Sequence, residues 1–217
     1  MADFIIYIGN KNYSSWSFRA WLMAKLSGAE FEEVLIPLQQ PDTHTEIMRH
    51  SPSGRVPLLQ HGMTSVWESL AIGEYLAEFF PKAGLWPEDE RARAMARAVS
   101  AEMHAGFMAL RRHLPMNMRD SYPSRGASPE AQADLTRITA LWRDCRKLGG
   151  GKGKFLFGDF TIADAMYAPV VSRIRTYEVE IDRETKAYVD AVVGFPAYQE
   201  WLDAAHQEPM IVAEWEF

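Results

Sequence analysis

A single cysteine, Cys145, stands in 217 residues. That excludes an internal disulfide and any dithiol redox chemistry of the chain's own, and it fits a reducing compartment. Long apolar runs are missing too. The opening MADFIIYIGN has an acid at position 3 and a short apolar run from Phe4 to Ile8, without the basic start and long apolar stretch of a signal peptide, and no segment approaches membrane-spanning length. A surplus of positive charge is also lacking: 23 Lys+Arg stand against 29 Asp+Glu, a formal net charge of −6. Broad electrostatic attachment to nucleic acid or an anionic membrane is therefore not expected. The six histidines show no metal-ligand spacing such as H-E-x-x-H, so no metal is expected. Neither internal repeats nor low-complexity tracts occur. A reducing cytoplasm is the expected compartment, and any anionic ligand must find local positive charge.

What the chain has in quantity is core material, with 47% hydrophobic residues and 12% aromatics, ample for one large domain or two small ones. Phe4 to Ile8 is a compact strand ending at Gly9-Asn10. Ser15 to Ser27 predicts a helix closed by Gly28, and Phe31 to Ile36 a second strand. Asp42 to His50 reads as a loop or a poor helix. Ser-Pro-Ser-Gly then punctuates the chain before Val56-Pro57-Leu58-Leu59, where two short strands joined at His61-Gly62 fit. Ile72, Tyr75, Leu76, Phe79 and Phe80 mark a helix that Pro81 ends. Beyond residue 82 no stretch reads as a confident strand. Met95, Val99, Met103, Phe107, Leu110 and Leu114 predict one long helix, Pro129 to Leu148 another, and further helices start near Thr161, Arg183 and Pro196. The expected architecture is a small α/β domain over residues 1–81, a linker over 82–89 and an all-helical domain over 90–217, with a ligand cleft between the domains.

The stretch Asn10 to Leu22, NKNYSSWSFRAWL, places serines where the first strand hands over to the first helix. In redox proteins with a βαβ start, two cysteines occupy this spot; here Ser14 and Ser17 stand in both cysteine positions. The electrostatics survive the exchange: free backbone N–H groups, a partial positive charge and hydroxyl donors, all suited to an anion. A hydrogen bond to a charged group contributes roughly 1.5–3 kcal/mol. A thiol with a pKa of about 8.5 would thus fall by roughly one to two units beside one such hydroxyl. Plain N-capping by Ser14 or Ser15 is the competing explanation.

Two further motifs point the same way. Ser53-Gly54-Arg55-Val56-Pro57 puts a proline at the mouth of a strand, where a cis bond turns the backbone of Val56 outward to pair with a peptide-like ligand. Trp67-Glu68-Ser69-Leu70 starts a helix whose serine and N–H groups suit a carboxylate, while Glu68 suits an ammonium group. Together they describe a site for a small zwitterionic peptide carrying a thiol.

In this arrangement the chain resembles the glutathione transferase family. SSWSFR resembles the serine-containing first-helix motif of the zeta-like and theta-like classes, RVPLL the cis-proline strand, and WESLAI the glutamate-serine helix start. Phe160-Thr161-Ile162-Ala163-Asp164 resembles the family's capping-box helix. The resemblance implies a thioredoxin-like glutathione-binding domain followed by an all-α domain. It implies Ser14 as the hydroxyl that stabilises the thiolate, with Ser15 contesting the role. Val56 and Pro57 would hold the cysteinyl part, Glu68 and Ser69 the γ-glutamyl end, and Arg55 with Gln39 the glycyl end. Trp16, His104 and Met108 would line the acceptor pocket. Trp16 stands where the zeta pattern has cysteine, and the arginine expected after the Thr161 helix is Arg173 or Arg175.

The activity implied is attack of the glutathione thiolate, glutathione being a co-substrate, on a small hydrophobic electrophile by a homodimer. The alternatives are a glutathione-dependent cis–trans isomerase of the maleylacetoacetate type and a non-catalytic protein that binds glutathione or hydrophobic ligands. Tyr7, in an alternating strand, reads as core packing; Tyr13 either covers the thiol or merely lies in the loop. Arg111 and Arg112 read as a solvated basic face, and Cys145 as inert.

Overall fold

A computed structural model describes residues 3–123, 125–151 and 153–216. Its first part is a four-stranded sheet of order β2-β1-β3-β4, formed by β1 (Phe4–Ile8), β2 (Phe31–Leu35), β3 (Leu58–His61) and β4 (Thr64–Trp67). β1 pairs parallel with β2 and antiparallel with β3, which pairs antiparallel with β4. Side chains alternate across a strand, and the central strand has both faces covered. Phe4, Ile6 and Ile8 enter the main core with α1 (Ser15–Ser27) and α3 (Ser69–Phe79). Ile5 and Tyr7 face a smaller cluster with Ile36, Ile47 and Leu58, the Ile47 coming from α2 (Thr43–Met48). Covering on both faces explains why β1 reads as an unbroken apolar run.

The remainder is helical: α4 (Glu90–Ala105), α5 (Met108–His113), α6 (Pro129–Leu148), α7 (Ile162–Thr176), α8 (Arg183–Val193) and α9 (Pro196–Gln207). All of α7 except Arg175 is buried, and it packs against α1 and α4. Its start is the expected capping box. The Asp164 carboxylate accepts from the Thr161 N–H (2.9 Å) and hydroxyl (3.0 Å), and also from the Leu156 N–H (3.0 Å) and the Tyr188 hydroxyl (3.1 Å). Complete burial pushes its pKa up to about 6 against the pull of those donors.

Over 42–50 the poor-helix alternative holds: α2 is only six residues long. Two expectations need correction. β3 starts at Leu58, leaving Val56 and Pro57 outside the ladder. The single helix expected from Met95 to Leu114 is two. Gly106 is extended, and a Cβ there would meet the Glu102 carbonyl oxygen at 2.9 Å; Phe107 follows in the left-handed region at φ 60°. The apolar spacing runs on across the break because Phe107, Leu110 and Leu114 re-enter the same core.

Candidate active site

The turn from β1 to α1 is held from several sides. Ser14 is the N-cap of α1: its Oγ accepts from the Ser17 N–H at 3.3 Å. The same Oγ lies 2.8 Å from Ser17 Oγ, which accepts the Gly9 N–H at 2.9 Å. The capping explanation for Ser14 is therefore correct, and the cap belongs to a chain of hydroxyls. Ser15 is nearly buried at 8% exposure, and its hydroxyl makes no hydrogen bond to any described residue. The Tyr13 hydroxyl bonds Glu216, receives the Arg119 guanidinium at 2.9 Å and the Val212 N–H at 3.2 Å. It is tied to the C-terminal segment. That segment also supplies Glu208, which accepts from Asn10 Nδ2 (2.9 Å) and the Lys11 N–H (2.6 Å). Tyr7 donates to Gln60 at 3.2 Å within the sheet, in keeping with core packing.

Trp16, Ser53, Arg55, Val56, Pro57, Glu68, Ser69 and His104 surround a cleft of about 230 Å³. The Val56–Pro57 bond is cis, and neither the N–H nor the carbonyl of Val56 is paired within the described residues. Glu68 has φ 67°, a left-handed conformation unusual for a non-glycine residue and one that clusters at ligand-binding sites. Next to it Ser69 is 1% exposed and its Oγ has no partner. A buried hydroxyl without a partner is costly, and this one heads the free N–H groups of α3.

His104, on α4, closes the cleft from the helical side. Its Nε2 lies 3.5 Å from Glu68 and its ring 5.2 Å edge-on from Trp16, while Nδ1 has no partner. Burial lowers its pKa, and the Glu68 carboxylate opposes that shift only partly.

Seven of the expected site residues thus converge: Trp16, Arg55, Val56, Pro57, Glu68, Ser69 and His104. Two do not. Gln39 reaches Glu214 at 3.4 Å on the exposed side of its loop, and Met108 is 60% exposed. Neither Ser14 nor Ser15 lines the cleft, although both adjoin Trp16, which does. Arg112 is exposed as expected, but Arg111 is not a solvated residue. It lies over the Trp16 ring, 4.5 Å from the centroid, and donates to the Gly106 carbonyl at 3.1 Å. Arg173 is buried on the carbonyls of Leu114 and Pro169, and Arg175 is exposed. Sequence reasoning missed Ser53 on the cleft wall and the part played by Ser17. The S-S-x-S spacing was a signal for the latter, since a hydroxyl three residues after an N-cap faces it.

Known proteins resemble this chain in sequence and fold. Residues 13–78 match the family described as glutathione S-transferase, N-terminal domain, and residues 92–204 the glutathione S-transferase, C-terminal domain. Glutathione S-transferase 1 of Dianthus caryophyllus is 37% identical over 161 residues, covering 73% of this chain and 72% of that protein. Maleylacetoacetate isomerase of Rattus norvegicus is 28% identical over 173 residues, 77% of each chain. A glutathione transferase homolog from Burkholderia, solved with bound glutathione, superposes with a TM-score of 0.72 at 25% identity, covering 96% of this chain and 100% of that one.

Proposed function

The chain belongs to the glutathione S-transferase family, and from that premise we infer how its cleft works: it binds glutathione and presents the thiolate to an electrophile. The observation that carries the assignment is the orphaned Ser69 hydroxyl beside Glu68 and the unpaired backbone of Val56, all on one wall. Ser69 and the first N–H groups of α3 take the γ-glutamyl carboxylate, Glu68 its ammonium group, and Val56 the cysteinyl backbone. Arg55, exposed at the rim, approaches the glycyl carboxylate.

The sulfur then rests at the start of α1. Without a ligand the Ser14 hydroxyl donates to Ser17 Oγ at 2.8 Å and its Oγ accepts the Ser17 N–H. A hydroxyl proton turns freely about its C–O bond, so Ser14 redirects its proton from Ser17 to the sulfur without moving a heavy atom while the Ser17 N–H still holds its Oγ. The thiol proton leaves to solvent, and the thiolate forms a carbon–sulfur bond with the electrophile. A leaving group departs with its electron pair, or the added pair is protonated. No covalent enzyme intermediate is involved.

Calorimetric titration with glutathione, followed by turnover of a varied panel of aryl halides and peroxides, tests this reading. Saturable binding with turnover supports it, and saturable binding with none supports the carrier alternative. Glutathione-dependent isomerisation is a second reading, favoured by the rat relative's name; it differs in leaving glutathione unconsumed. The reading extends to a homodimer, supported by the exposed apolar Met63, Trp67 and Phe79 around β4 and α3. Light scattering at twice 24.7 kDa would bear it out. It also extends to the cytoplasm, where free glutathione is kept reduced. No described helix is long and apolar enough to cross a membrane.

A further inference from the structure

The residues that lead into Ser14 are each bonded to the helical half of the chain. The Lys11 carbonyl accepts the Trp201 indole N–H at 2.9 Å, and Asn12 Oδ1 accepts the N–H groups of Met118 at 2.7 Å and Arg119 at 2.9 Å. Further bonds run to the segment after α9. Glu208, itself buried, takes Asn10 Nδ2 on one carboxylate oxygen and the Lys11 N–H on the other. Glu216 accepts from the Tyr13 hydroxyl, the Tyr122 hydroxyl at 2.7 Å, Asn117 Nδ2 at 3.1 Å and the Arg119 guanidinium at 3.2 Å. Inside the turn, the Asn10 carbonyl accepts the Ser14 N–H at 2.8 Å, and the Tyr13 carbonyl accepts that of Ser15 at 3.0 Å. The two residues these carboxylates grip by their side chains are thus the two that hold the first-helix serines.

Glu208 is the more telling of the pair. It forms no ion pair with a described residue, and an enclosed carboxylate without a cation is costly. Both of its partners are donors, so only a group that accepts on both oxygens fits between them. A glutamine amide would set its NH2 against Asn10 Nδ2 or the Lys11 N–H. Asn10 cannot turn to meet it, because Asn10 Oδ1 accepts the Leu38 N–H at 2.7 Å. Stability alone gives no reason for such a group, whereas placement does. Loops move more than the elements they join, and this turn ends on the hydroxyl whose distance to the sulfur decides its hydrogen bond.

We propose that Glu208 and Glu216 are positioning residues for the thiolate: through Asn10 and Tyr13, the segment after α9 fixes the turn so that the Ser14 hydroxyl meets the glutathione sulfur. The inference rests on the conjugation reading above, and it makes the helical half serve the sulfur as well as the acceptor. It also gives Tyr13 a place, as the anchor of the turn. The cleft wall of Val56, Glu68 and Ser69, which takes the rest of glutathione in that reading, is bonded to neither Glu208 nor Glu216. Loosening the turn therefore makes the thiol less acidic and spares the binding.

The test uses the full chain with Glu208→Gln, Glu216→Gln or Tyr13→Phe. Each is compared with the native protein by glutathione calorimetry, by ultraviolet titration of the thiolate in the complex, and by turnover of 1-chloro-2,4-dinitrobenzene. In that reaction the carbon–sulfur bond forms and chloride leaves with the bonding pair; rates are corrected for the uncatalysed reaction. Each variant is expected to bind glutathione within about threefold of native and to titrate its thiol about one unit higher. The rate then falls about tenfold on the acidic limb and approaches native where the thiol is ionised in both. Tyr13→Phe with Glu216→Gln should lose no more than the larger single loss, since both cut one contact. An unmoved thiol, or a loss that is equal at every pH, overturns the inference and leaves the two acids a purely structural role. Should Glu208→Gln fail to fold, Glu216→Gln decides alone, its carboxylate being partly exposed. Glutathione binding without turnover by the native protein would count against conjugation instead, and the thiol titration, which needs no electrophile, would still decide the positioning. Absence of glutathione binding overturns both.

Discussion

Ser17 Oγ lies 2.8 Å from Ser14 Oγ and 2.9 Å from the Gly9 nitrogen, so the hydroxyl that caps the first helix is itself backed by a second hydroxyl and a strand-end N–H. Ser17 is a positioning residue in this account, since it acts on the sulfur through Ser14. Replacing Ser17 by alanine should raise the acidic limb of the kcat/KM pH profile by about one unit, the equivalent of roughly 1.4 kcal/mol, while glutathione affinity changes little. Ser17→Thr should restore the limb. A uniform loss of rate at every pH would mark a purely structural role.

Ser69 offers the opposite test, because its hydroxyl has no partner among the described residues. Ser69→Ala should leave the melting temperature within a degree or two and weaken glutathione binding by about 10- to 100-fold, the loss of a roughly 1.5–3 kcal/mol charge-assisted bond. Calorimetric titration and thermal unfolding on the same sample check both halves.

His104 makes stability sensitive to acid. Burial lowers its folded pKa below the ordinary value, so on acidification the unfolded chain takes up the proton first. The contribution of the neutral imidazole is complete above the unfolded pKa of about 6.5 and is lost as the pH falls through it toward the folded value. The gap in urea midpoint between the native protein and His104→Gln should therefore narrow, or reverse, below pH 6. A gap that is constant with pH would contradict this.

Asp164 collects four donors in a fully buried site. Asp164→Ala orphans all of them at once. The expected cost is at least about 3 kcal/mol of unfolding free energy, seen as a large drop in the denaturant midpoint. A loss below about 1 kcal/mol would show that the α7 start is held by packing alone.

The first half of the fold was legible because its signals are local. The β1 run, the Gly28 stop, the Pro57 strand mouth and the Glu68-Ser69 helix start each depend on neighbours in sequence. The break at Gly106 was not legible, since α4 and α5 return to one core and keep a single apolar rhythm across it. Arg111 looked like surface because its enclosure comes from Trp16, distant in sequence and carried by another domain. Gln39 and Met108 failed for the complementary reason: each lies near the site along the chain, but its loop or helix face turns it to solvent. The first-helix serines were found as residues, but the choice between Ser14 and Ser15 leaves out the hydroxyl that Ser14 touches, three residues further on.

The central claim is that the sulfur of bound glutathione loses its proton because Ser14 donates to the resulting anion. Ultraviolet titration of the thiolate in the glutathione complex, native against Ser14→Ala, addresses it most directly. The account predicts a thiol about one to two units below the free value of about 8.5–9 in the native complex, reverting toward that value in the variant while glutathione still binds. A native thiol no more acidic than free glutathione, or a shift that survives Ser14→Ala and vanishes in Ser15→Ala, would contradict it.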